Sequence, residues 1–124
     1  MKKYFIHVAF PILIGVGIYS MKYYQKNITQ LNEIHLPRFI YYQIPDFLWM
    51  YASINLLGLL WKNDSRQLKF YQVSMLFLAC TLEIFQKLKY IPGTFDLKDI
   101  AAYLLAFTFS LIIFKFILNF QTND

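Results

Sequence analysis

The chain has 124 residues, 58% of them hydrophobic and only 15% charged, with a mean hydropathy of +0.41 and a net charge of +5. A soluble domain of this size buries only about two-thirds of its surface, which leaves no room for 13 Phe and 10 Tyr beside the aliphatic residues, so an ordinary soluble fold is excluded and a bilayer is implied. The positive charge does not mark a nucleic-acid binder, because no basic run exceeds Lys2-Lys3; basic residues flanking apolar runs suit anionic lipid headgroups instead.

The first apolar span, residues 4–20, reads "YFIHVAFPILIGVGIYS". Lys2-Lys3 in front of it resembles the start of a signal peptide, but the apolar part is long and no small-residue cleavage site follows, so an uncleaved span is expected. Pro11 is expected to kink the helix rather than end it, and His7 to sit near the membrane surface. The following loop, about residues 21–43, carries Tyr23, Tyr24, Tyr41 and Tyr42, which read as an interfacial aromatic belt. Its "ITQLNEIHLPRF" segment is expected to lie along the surface.

Span two, about residues 44–61, is "IPDFLWMYASINLLGLLW", and a tight polar turn, "KNDSRQ", leads to span three at about 68–86. Cys80, the single cysteine, falls inside span three, so no internal disulfide exists and packing is its expected role. "KLKYIPGTF", punctuated by Pro92-Gly93, makes spans three and four antiparallel neighbours, with span four at about 97–118. Each span must be helical, since a spanning segment has to satisfy its own backbone in hydrocarbon. The expected fold is therefore a single domain over residues 1–124, an all-α membrane protein built as a bundle of four transmembrane helices.

Charge does not orient this bundle. Lys2, Lys3, Lys62, Arg66, Lys69 and Lys115 fall on the side of the termini, and Lys22, Lys26, Arg38, Lys87, Lys89 and Lys98 on the other, six against six.

An even number of spans puts the first and third loops at the same end of the bundle. Asp46 opens span two there, Glu83 and Gln86 close span three, and Asp96 and Asp99 open span four. These five are the candidate polar pocket. Glu83 and Gln86 share a helix face that continues to Lys87, and Asp96, Asp99 and Tyr103 share another. Asn55 falls on the face opposite Asp46 and is left out of the cluster.

Helix-end roles compete with a site. Asp46 after Pro45 suits a first helical turn, and Asp96 and Asp99 suit an N-cap and a third-position acid. Glu83 caps nothing. It follows the apolar run "LFLACTL", where an ionised carboxylate is expensive unless paired or hydrated. Its competing role is an ion pair with Lys87, Lys98 or Arg38. His35, beside Arg38 in the first loop, is a weaker candidate for the same end. No Ser or Thr near the acids has a His partner, so a hydrolytic triad is unsupported. Three acids and a glutamine offer oxygen ligands of the kind Mg²⁺ or Ca²⁺ prefers, but not at a metal-binding spacing; no metal or other cofactor is assigned.

The stretch "LEIFQKLKYIPGTFDLKDIAAYLLAF" resembles the signature half of VanZ-like membrane proteins, in which a Glu-x-x-Gln pair ends one helix and an acid-x-x-Asp pair begins the next. "IPDFLWMYA" is similar to the family's earlier Asp. The resemblance covers roughly residues 44–110 and carries functional roles to Asp46, Glu83, Gln86, Asp96 and Asp99. The chain departs from the pattern at Tyr103 and Ala106, where the family has Asn and Gly, and lacks the family's linker Arg, a place Arg38 would have to fill.

The resemblance implies a bacterial cytoplasmic (inner) membrane, cytoplasmic termini and a link to teicoplanin resistance. The leading expectation is an outward acidic pocket for a lipid-linked or amphiphilic envelope ligand, in contact with membrane lipids. The alternatives are a structural or accessory subunit, with a protein partner or as a homo-oligomer, and a metal-assisted enzyme acting on lipid headgroups.

Overall fold

A computed structural model describes residues 2–27, 37–61 and 63–121 of the chain. These form four helices in sequence: α1 (Lys2–Asn27), α2 (Arg38–Leu60), α3 (Ser65–Lys87) and α4 (Leu97–Gln121). No strand occurs among the described residues. The chain is an all-α membrane bundle, and α1, α3 and α4 each hold a stretch long and apolar enough to cross a membrane: Phe5–Tyr24, Arg66–Lys87 and Leu97–Phe116.

Local chemistry sets the helix ends. Asp64 caps α3 by accepting from the backbone N–H groups of Arg66 and Gln67 at 3.1 and 3.0 Å. Asp96 does the same for α4 through Lys98 N–H at 2.9 Å, and Asp99 falls in the first turn, where the helix dipole favours an acid. Between α3 and α4 the chain reverses through Lys89, in the left-handed region at φ 60°, and Gly93, at φ 141°. Any side chain at Gly93 would also meet Gln86, whose Nε2 lies 2.6 Å from the position a Cβ would take.

Two helices run further than the apolar spans. α1 continues past residue 20 to Asn27, so Tyr23 and Tyr24 are helical and exposed at its end. α2 begins at Arg38 rather than near residue 44 and carries Pro45 in its interior. Proline removes one backbone donor and crowds the carbonyl four residues back, and the flanking turns hold the helix together. The first-turn role expected of Asp46 is thereby corrected: Asp46 lies two turns inside α2, and the first turn of that helix has no acid.

Packing centres on α2, which touches all three other helices, whereas α1 touches α2 alone among the described helices. α3 packs on α2 and α4. Met50, Tyr51, Ile54 and Ala106 form the main core, with Phe47, Met75, Leu76, Ala79, Tyr103 and Phe107 against it. A second cluster, Leu68 and Phe114 with Leu57, Leu59 and Trp61, closes the end that holds the α2–α3 turn. There Gly58 lets the Phe114 ring lie directly on the α2 backbone. The outer faces stay oily, with Phe10, Leu13, Phe77, Leu105 and Phe116 all exposed, as lipid contact requires.

Candidate functional site

The end of the bundle opposite that second cluster gathers the acids. α2 and α4 run in the same direction, and Gln43 on α2 donates through Nε2 to Asp99 Oδ1 on α4 at 3.1 Å. One turn further along α2, Asp46 comes into side-chain contact with Asp99 and within electrostatic reach of Glu83 and of Lys22 on α1. Lys22 also sits 4.0 Å over the Tyr42 ring, which holds its ammonium at this end. α3 runs the opposite way and delivers Glu83, which is only 5% exposed.

Glu83 has one side-chain partner among the described residues. The Tyr103 hydroxyl of α4 donates to Glu83 Oε1 at 3.3 Å. The second oxygen, Oε2, is buried and has no hydrogen-bond partner there. Among the described residues, the competing ion pair of Glu83 with Lys87, Lys98 or Arg38 does not form. Lys87 instead lies 5.1 Å from the centre of the Phe95 ring, and Arg38 is exposed in the first turn of α2.

Of the five acids and amides picked out in sequence, Asp46, Glu83 and Asp99 are brought together from three helices, with Tyr103 from the weaker set among them. Gln86 and Asp96 sit at the same end: Gln86 packs on Gly93, and Asp96 caps α4 with its side chain while its backbone lies within reach of the Glu83 carboxyl. His35 lies outside the described residues. Gln43 is a member that sequence reasoning missed, because it falls within the expected first loop; the early start of α2 places it one turn before Asp46, on the face that meets α4.

Two other polar features escaped the sequence. His7 bonds through Nδ1 to the Tyr51 hydroxyl at 2.8 Å, joining α1 to α2. Asn55, which faces away from Asp46, is nevertheless fully buried.

Chemically, the cluster is rich in acceptors and short of donors. Carboxyl groups this close repel when ionised and are stabilised by a donor or cation placed among them. Tyr103, Gln43 and Lys22 supply part of that need, and Glu83 Oε2 is left over. Among the described residues, no group of three or more His, Cys, Asp or Glu side chains could hold a metal ion.

No family model, curated protein or solved structure matches the chain.

Proposed function

We propose that the chain is a VanZ-like protein of the bacterial cytoplasmic membrane, with cytoplasmic termini, whose outward acidic pocket binds the headgroup of a lipid-linked or amphiphilic envelope ligand. The observation that carries this reading is Glu83, buried beside Asp99 and Asp46 with one oxygen unpartnered. Such an oxygen favours a ligand that brings donors, so the headgroup class is an amine or a hydroxyl-rich sugar, and the apolar tail stays in the surrounding lipid. Phosphate alone, which brings only acceptors, is disfavoured. The resemblance of residues 82–107 extends the reading to glycopeptide resistance.

The test uses protein in lipid nanodiscs and dansyl-labelled alkyl chains ending in an amine, a hydroxyl or a phosphate, read by energy transfer from Trp49 and Trp61. The wild type takes the amine and hydroxyl probes ahead of the phosphate. Glu83→Gln combined with Asp99→Asn weakens amine binding by about tenfold to a hundredfold, as expected when hydrogen bonds to charged groups worth about 1.5–3 kcal/mol are lost. The same double variant also fails to raise teicoplanin tolerance in a sensitive host that the wild type protects. Unchanged amine binding by a well-folded double variant removes the proposal.

A further inference from the structure

A second set of polar side chains lies deeper in the bundle. Asn55 on α2, Gln72 on α3 and Ser110 on α4 are 0%, 2% and 0% exposed. Each keeps a polar atom without a hydrogen-bond partner among the described residues: Asn55 Oδ1, Gln72 Nε2 and Ser110 Oγ.

They share one level. Phe114 meets Gly58 and Leu68 at the far end of the bundle. One helical turn from that contact toward the carboxylates leads from Gly58 to Asn55, from Leu68 to Gln72 and from Phe114 to Ser110, since α3 runs opposite to the other two. Nine residues separate Asp46 from Asn55, about 14 Å at the helical rise, and the Met50, Ile54 and Ala106 core fills that interval. The layer is therefore distinct from the acidic pocket.

The unpartnered atoms are complementary. The Asn55 Nδ2 group donates to the Tyr51 carbonyl at 2.8 Å, which leaves Oδ1 as an acceptor. Gln72 Nε2 is a donor, and Ser110 Oγ is both. Ser110 also breaks a pattern within this chain. Ser20, Ser53, Ser74, Thr81 and Thr108 each donate to the carbonyl four residues back at 2.8–2.9 Å. Ser110, more buried than any of them, does not.

We propose that Asn55, Gln72 and Ser110 form a water-binding site inside the bundle, at a depth where lipid surrounds the helices. A buried water typically makes about three hydrogen bonds to otherwise unsatisfied groups. Here it accepts from Gln72, donates to Asn55 and exchanges a bond with Ser110. One donor, one acceptor and one hydroxyl match a neutral molecule that both donates and accepts, as water does.

The experiment is water-to-protein magnetisation transfer by solid-state NMR on the full chain in lipid bilayers. Transfer reaches the side-chain amides of Asn55 and Gln72 as early as that of Gln67, exposed at the α2–α3 end, and well before the lipid-facing Phe77 ring. Gln72→Met, or the smaller Ser110→Ala should the first fail to fold, removes the early signal at Asn55 while Gln67 keeps its own. Late transfer to both amides in the wild type overturns the proposal. So does an early Asn55 signal that neither variant alters, because the three groups then do not share a ligand.

Discussion

α1 and α2 are neighbours with opposite surroundings. α1 rests on α2 alone among the described helices and leaves Phe5, Ile6, Phe10, Leu13 and Val16 exposed around it. α2 is enclosed by the other three and buries Met50, Tyr51, Ala52, Ile54, Asn55 and Gly58. Yet the apolar stretch of α1, Phe5–Tyr24, carries no acid, while α2, the central helix, holds Asp46 and Asn55. In lipid, hydropathy reports what the acyl chains touch. A helix shielded by protein is free to carry Asp46, which meets Asp99 of α4, and Asn55, whose amide bonds the Tyr51 carbonyl of its own helix.

That contrast can be broken by substitution, and the largest effect is expected at Gly58. A Cβ there would fall inside the Phe114 ring, so Gly58→Ala destabilises the bundle by about 2–3 kcal/mol, in the range of core overpacking. Denaturant titration in mild detergent measures it, and adding Phe114→Ala recovers part of the loss. Tyr51→Phe comes next. It removes the hydroxyl that bonds His7 and costs about 1 kcal/mol, seen as faster amide exchange in α1 with α3 and α4 unaffected. The smallest effect is at Gly17, where nothing lies within 4 Å of the position a methyl group would take. Gly17→Ala therefore leaves stability unchanged or raises it by up to about 1 kcal/mol through helix propensity. A loss at Gly17 as large as that at Gly58 would mean that the outer face of α1 is covered by another helix, and the contrast would collapse.

The four helices were legible because long apolar runs bounded by polar turns leave few other readings. The α3–α4 end was the clearest: the capping acids, Pro92-Gly93 and Glu83 are all local signals, and both helix boundaries fall within a few residues of the expected ones. The start of α2 was not legible, since Pro45 reads as a helix beginning when the tertiary partners of the preceding two turns are unseen. That misreading hid Gln43 and gave Asp46 a capping role. Asn55 was excluded by sound angular reasoning from Asp46, but the reasoning assumed a single inner face, and α2 has partners on several sides. Which basic residue would meet Glu83 was also beyond reach. The sequence offered Lys87, Lys98 and Arg38 alike, while the fold supplies a tyrosine hydroxyl from α4.

The partner of Glu83 also bears on how the protein is made. Tyr103 and Asp99 belong to α4, the last of the four helices to leave the ribosome, while Glu83 sits near the end of α3. A nascent chain that has completed only α3 holds the Glu83 carboxyl group without the Tyr103 hydroxyl that meets it in the finished bundle. Completion of the acidic end is thus a late event in biogenesis, set by the order in which the helices are synthesised.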